Sequence, residues 1–286
     1  MDEPFGYCLN AGTIRGHKLG IVGEVEVAAA AGYGAFEPWI DSIREYQQAG
    51  GSLRDLRKRI ADGGLKVPGA IGFARWLADQ KQRRKEGLEQ AKKDMDLVRQ
   101  IGGTGIAAPP AGMIGRTGLD LLVAAERYRA LLEVGDRAGI VPQLEVWGFS
   151  KTLHRMGQAA MVAAETGHPK ACILLDVYHI YKGGGDYHGL KLLAGRAVPV
   201  FHMNDFPARP RRDRITDADR VYPGDGVAPL GQILRDLRDN GSTCWLSLEL
   251  FNETYYKQPA IRVAKTGLAK MKAAVRKALR GRAAGR

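Results

Sequence analysis

Short apolar runs alternate along this chain with longer segments whose apolar positions recur at helical spacing. The runs cover residues 7–10, 34–39, 66–73, 105–108, 140–146, 171–177, 197–203 and 243–250. Between them, helical patterns are expected over 19–31, 52–62, 80–101, 119–138, 152–165, 186–193 and 230–240, with a last helix inside 260–279. The punctuation agrees with the pattern. Ser52 with Asp55 three residues on reads as a helix start, and Gly32, Gly63-Gly64, Gly102-Gly103 and Gly139 read as stops. Alternation of strand and helix predicts a parallel sheet with crossover helices. Eight such units in about 250 residues predict a single (β/α)8 TIM barrel of the α/β class. The rival, an open doubly wound sheet, usually carries a Gly-rich phosphate loop after an early strand, and no such motif occurs. No composition shift marks a domain boundary, so residues 1–286 are expected to form one barrel domain with a basic C-terminal tail at about 272–286.

Four successive runs end on an acid or a histidine. Leu144 leads to Glu145, Leu175 to Asp176, Phe201 to His202 and Leu248 to Glu249. Ending a buried strand on such a group is unfavourable unless it meets water, a partner or a metal. Any one of these acids is more often a loop-entry residue or a helix cap, and one histidine is more often a hydrogen-bonded core residue. Recurrence at neighbouring strand ends carries the stronger reading, because the C-terminal ends of barrel strands share one opening. Three carboxylates and an imidazole suit Mn²⁺, Mg²⁺, Co²⁺ or Zn²⁺ without choosing among them.

Composition changes this picture little. Hydrophobic residues make up 45%, enough for a substantial core. No apolar stretch approaches the ~20 residues that span a bilayer, and the acidic start, Met1-Asp2-Glu3-Pro4, does not read as a signal peptide. Cys8, Cys172 and Cys244 lie in apolar runs without a CxxC pair, as expected of reduced thiols in a cytoplasmic protein. The formal net charge of +12 comes from clusters at 81–85, 209–214 and the C-terminal tail. A nucleic-acid surface would interleave aromatics with the basic residues, which these clusters do not do, so nucleic acid is not the expected partner. The oligomeric state is open, a homo-oligomer being one option.

With these residues in place, the chain resembles the xylose isomerase-like barrel superfamily, in its sugar isomerase/epimerase branch. The resemblance rests on Leu144-Glu145, Asp176-Val177-Tyr178-His179, Phe201-His202-Met203-Asn204-Asp205, the Gly224-Asp225-Gly226 turn and Leu248-Glu249. It implies that Glu145, Asp176, His202 and Glu249 hold one divalent ion, with Mn²⁺ favoured. It also implies that Glu145 and Glu249 form the acid/base pair and that His179 contacts substrate oxygens. The implied reaction is isomerisation or epimerisation of a small sugar or related hydroxy-ketone through an enediolate. A lyase or dehydratase reaction, β-elimination from a keto-sugar or inosose, is the alternative. Phosphodiester cleavage of the endonuclease IV kind is a more distant one, since that family uses a zinc cluster with many histidines and this chain has 6.

The chain departs from the epimerase pattern in two places. Lys151 stands where a second Glu is common, and Ala208, followed by Arg209, stands where an Arg is common. Lys151 and the Arg209 cluster are therefore candidates for an anionic substrate group, with solvation as the competing role. Glu37 and Trp39, at the end of the second run, are candidate substrate contacts. Trp76 and Trp147 are further aromatics of the expected active face. Asp205, beside His202, is expected to orient that imidazole. His17, His154 and His168 are expected at the surface, and Asp186 and His188 at a helix start.

Overall fold

The computed structural model describes residues 3–280. Seven parallel strands form a continuous ribbon: β1 (Gly6–Asn10), β2 (Ala35–Glu37), β3 (Gly105–Ala108), β4 (Val141–Glu145), β5 (Ile173–Asp176), β6 (Val200–Met203) and β7 (Trp245–Leu248). Their spatial order is β2-β1-β7-β6-β5-β4-β3. The third run of the sequence lies between the two ribbon edges and closes the ring. On one side, Phe36 N donates to Lys66 O (2.8 Å) and Ile71 N to Pro38 O (2.8 Å). On the other, Thr104 N donates to Val67 O (3.0 Å) and Ala107 N to Ala70 O (2.8 Å). The run makes only isolated bridges rather than a regular strand. Pro68 has no N–H to give, so the ladder is interrupted there. The side chain of Gln143 fills part of the gap by donating Nε2–H to Pro68 O at 3.0 Å. The chain is thus an α/β TIM barrel in which one of the eight expected strands is irregular.

Helices cover the outside. Their bounds, Gly20–Ala31, Leu53–Asp62, Lys81–Gln100, Leu121–Ala138, Leu230–Asp239 and Ala260–Arg280, follow the periodic segments closely. Ser52 caps its helix by accepting from Asp55 N at 3.2 Å. Three expectations need correction. A helix at Ile40–Gln48 was not foreseen, because only Ile40 and Ile43 of it are buried and the rest is polar. A second unforeseen helix, Val177–Lys182, follows β5 directly. The segment at 272–280 is not a tail, since it continues the last helix and buries Val275 and Ala278. Residues 281–286, which carry the remaining basic positions of the expected tail, lie outside the described residues.

The parallel register sets the interior. Asp176 pairs with His202, His202 with Ser247, and Asn10 with Glu37. Paired residues share a face, and side chains two apart along a strand do too. The face that presents Asp176 and His202 therefore presents Leu174 and Val200 one step below. Those two residues, with Ile71 and Ala107, form a separate small apolar cluster inside the ring. The alternate residues, such as Leu175, Phe201 and Leu248, join the large core beneath the helices. A dry floor thus underlies a polar layer at the C-terminal strand ends.

Closure at the irregular seam depends on Gly105. A Cβ there would stand 2.2 Å from Gln143 Nε2 and 2.5 Å from the Pro68 carbonyl oxygen. Gly105→Ala should therefore displace the seam and destabilise the fold by about 1–3 kcal/mol, the usual penalty of overpacking. Denaturant unfolding measures this, and an unchanged midpoint would show that the seam gives way freely.

Candidate active site

The polar layer is built from residues on six of the eight strand positions. His202 is fully buried at the end of β6. Its Nε2 bonds to Glu37 Oε2 at 3.0 Å. The same Glu37 oxygen accepts from Asn10 Nδ2 (2.9 Å) and Ser247 Oγ (2.7 Å). The other ring nitrogen, Nδ1, faces Glu249 Oε2 at 3.2 Å and Asp176 Oδ2 at 3.8 Å. Neither contact has the alignment of a hydrogen bond, and Nδ1 has no other partner. One ligand atom each from Asp176, His202 and Glu249 lie within 4.8 Å of one another.

Each carboxylate is held in place. Asp176 caps the following helix by accepting from His179 N at 2.7 Å, and its Oδ2 accepts from Asn204 Nδ2 at 2.9 Å. Asn10 Nδ2 also reaches Glu249 Oε1, at 3.1 Å. Arg220 then spans the set, donating from Nη1 to Asp176 Oδ2 (3.1 Å) and Glu249 Oε2 (2.7 Å). Its guanidinium is fully buried, and Nη2 contacts His179 Nε2 at 3.2 Å and also Asp217. Glu145 lies beside these groups, and its Oε2 is buried without a partner.

The electrostatics separate the two glutamates. Burial pushes Glu145 up to about 8, with His202 opposing and Glu249 reinforcing the shift. Burial acts the same way on Glu249, but His202 and Arg220 overcome it and hold this carboxyl well below the ordinary range. Burial raises Asp176 to about 6 against the pull of Arg220. Burial disfavours a charged His202, yet Glu249 and Glu37 raise it well above the ordinary histidine value. His179 is pushed well below its ordinary value by burial and by Arg220, and is neutral near pH 7. Four buried acids, Glu37, Glu145, Asp176 and Glu249, thus face Arg220 and one imidazole. The unpartnered Nδ1, aimed between two carboxylates, fits a metal ligand whose other nitrogen is anchored on an acid.

The expected residues fall into two groups. Glu145, Asp176, His202 and Glu249 come together, although Glu145 stands outside the tight trio. Glu145 and Glu249, with His179 and Trp39, border a cavity of about 380 Å³. Glu37 does not border it. It lies beneath, fully buried, and anchors His202 rather than meeting the mouth. The orienting role expected of Asp205 therefore belongs to Glu37. Asp205 instead accepts from Phe206 N, Gly224 N and Ala228 N and organises its own loop. Arg209 and Lys151 are exposed and do not border the cavity, so neither is placed to meet a substrate there. Trp147 lines the cavity, whereas Trp76 is buried and donates Nε1–H to Pro109 O at 2.7 Å. His17, His154 and His168 are half-buried rather than on the open surface. A larger depression, about 910 Å³, lies at the opposite barrel end among strand beginnings such as Val141, Ile173 and Trp245 and contains none of these acids.

Arg220 and Asn10 were missed. Asn10 ends the first apolar run, a position equivalent to the four that were noticed. Arg220 is brought over the mouth by an antiparallel bridge in which Asp205 N donates to Val221 O (3.0 Å) and Val221 N to Asp205 O (2.9 Å).

Comparison with known proteins shows the family. A family model described as xylose isomerase-like TIM barrel matches residues 25–274, and the chain belongs to that family. It is 26% identical over 260 residues to an inosose isomerase from Bacillus velezensis, covering 89% of this chain and 91% of that protein. It is 25% identical over 247 residues to a 3-dehydroshikimate dehydratase from Pseudomonas aeruginosa, covering 86% of this chain but only 38% of that longer protein. Among solved structures, the IOLI protein with a bound zinc atom superposes with a TM-score of 0.87 at 22% identity, covering 96% of this chain and 99% of the other.

If Glu37 sets the imidazole for metal binding, Glu37→Gln should lower divalent-metal affinity about 10–100-fold while the fold persists. Calorimetric titration with Mn²⁺ or Zn²⁺ measures this, and wild-type affinity in the variant would remove Glu37 from the account.

Proposed function

We propose that this protein is a divalent-metal-dependent isomerase or epimerase of a small sugar or related hydroxy-ketone, acting through an enediolate. The observation that carries the proposal is the anchored imidazole of His202, whose Nδ1 faces Asp176 and Glu249, beside two glutamates that border one cavity. Asp176, His202 and Glu249, with Glu145 beside them, would hold the ion. When bound, a divalent ion supplies a Lewis acid for a carbonyl and its neighbouring hydroxyl oxygen.

The chain's own groups supply the proton transfers. Glu249 enters ionised and takes the proton from the carbon beside the carbonyl. Burial raises Glu145 to about 8 before an ion binds; as the second carboxyl at the cavity it is the group that returns a proton to the enediolate. The two glutamates come from β4 and from just beyond β7, with β5 and β6 between them in the ring, so they approach the cavity from different sides. Arg220 stays charged throughout and keeps Asp176 and Glu249 apart from each other's repulsion. The neutral His179 orients substrate oxygens.

A second reading shares the first proton transfer and then expels a leaving group, with Glu145 giving its proton to the departing oxygen. The similarity to a dehydratase supports it. Phosphodiester cleavage has less support, because only His179 and His202 of the 6 histidines belong to the site. The same proposal takes Mn²⁺ as the ion, residues 1–286 as one barrel domain and the cytoplasm as the location. The three buried, unpaired cysteines support the last point. No helix among the described residues is long and apolar enough to cross a membrane.

Incubating a panel of ketoses and inososes in D₂O with Mn²⁺ tests the reaction. Deuterium should enter the carbon beside the carbonyl without loss of water, and Glu145→Gln or Glu249→Gln should each slow exchange by about 10²–10⁴-fold. Product lacking water supports the elimination reading. Exchange unaffected by both substitutions would contradict either reading.

A further inference from the structure

The cavity above the acids is walled by aromatic rings that proton transfer on a sugar does not require. Ring centroids step from Phe251 to Trp39 (6.1 Å), to Phe73 (5.3 Å), to Trp147 (5.8 Å) and to Phe149 (5.0 Å). All five rings border the cavity that contains Glu145, His179 and Glu249. They come from segments that follow four different strand positions, so the arc is not the local packing of one loop. Trp39 within it is fixed in place. The Arg15 guanidinium covers one side of Trp39 at 4.1 Å, and Trp39 Nε1 donates to Asn10 Oδ1 at 3.3 Å.

The outer part of the arc is left in water. Phe73 is 39% exposed and Phe149 43%, and they are the exposed phenylalanines among the described residues. Exposed apolar surface next to a polar site marks a place that a ligand covers. A bare sugar presents hydroxyls around its rim and one small apolar face, which a single ring such as Trp39 satisfies. Nothing in such a molecule would cover Phe73, Trp147 and Phe149 together. Hydroxyls pressed against those three rings would lose water and find no hydrogen-bond partner.

We propose that the substrate is a keto-sugar or related cyclic hydroxy-ketone carrying a flat apolar substituent, of the aryl type. The oxygenated ring meets Glu145, His179 and Glu249, and the substituent lies along Phe73, Trp147 and Phe149. This rests on the isomerase reading for the polar end only. Flat substituents match offset or edge contacts with these rings better than a flexible alkyl chain does.

The test uses the full-length protein with Mn²⁺ and two unreactive polyol probes, phenyl β-D-glucoside and methyl β-D-glucoside. Binding is followed by calorimetry and by the fluorescence of Trp39 and Trp147. The phenyl probe should bind about tenfold tighter or better, with a more negative heat-capacity change. Phe73→Ala and Phe149→Ala should each reduce the phenyl-to-methyl ratio, and together bring it near one. Equal binding of the two probes overturns the proposal, as does failure of the phenyl probe to bind. A preference that survives in the double variant, with its melting temperature unchanged, also overturns it. Because the readout is binding, loss of the isomerase reading in the D₂O assay would leave this result interpretable on its own.

Discussion

The hydrogen bond between His202 and Glu37 is the contact on which the polar end of this barrel depends. It fixes the orientation of the imidazole, with Nε2 on Glu37 and Nδ1 facing Asp176 and Glu249. Without it, a fully buried ring would sit among acids with no set orientation. Glu37 can serve this purpose because Asn10 and Ser247 donate to the same oxygen, so its charge is spread over three donors. Burying a carboxylate this deeply is unfavourable unless it is so compensated. Asn10 also reaches Glu249, and Arg220 links Glu249 to Asp176. The acids are therefore held by one connected network rather than by separate local contacts, which favours a single geometry.

That network exists because of the barrel's period. Asn10, Glu37, Asp176 and His202 occupy inward positions one step above a dry floor of Leu174, Val200, Ile71 and Ala107. The floor excludes water from below, strengthens the electrostatic contacts above it and contributes to the raised Glu145. The helices bury the opposite face of the same strands. Fold stability and site geometry are thus two consequences of one alternation, and the irregular third run shows how far it can be relaxed. There Pro68 interrupts the ladder and Gln143 replaces part of the missing bonding from inside the ring.

Much of this was legible in the residues. Buried parallel strands read as unbroken apolar runs, so an abrupt acid or histidine at the end of a run stands out, and four of these found one another across the opening. Asn10 ends its run in the same way but is neither acid nor titratable, so no charge marks it in the sequence. Arg220 was out of reach for a different reason. Spacing along a long loop does not say where the chain returns, and the epimerase pattern points to Arg209, next to Ala208, rather than to Arg220. The bridge between Asp205 and Val221 decides the matter by folding Arg220 back over the mouth. Trp39 and Trp147 were recognisable as aromatics of the active face, but Phe73, Phe149 and Phe251 form an arc with them only through tertiary structure.

The central claim is that Asp176, His202 Nδ1 and Glu249 hold a divalent ion. A crystal structure of the protein with Mn²⁺, using anomalous scattering to place the ion, tests it most directly. The account predicts one anomalous peak about 2.0–2.3 Å from His202 Nδ1 and from oxygens of Asp176 and Glu249, with His202 Nε2 still bonded to Glu37. An ion bound elsewhere, or Arg220 alone occupying the space between the carboxylates at saturating Mn²⁺, would contradict it.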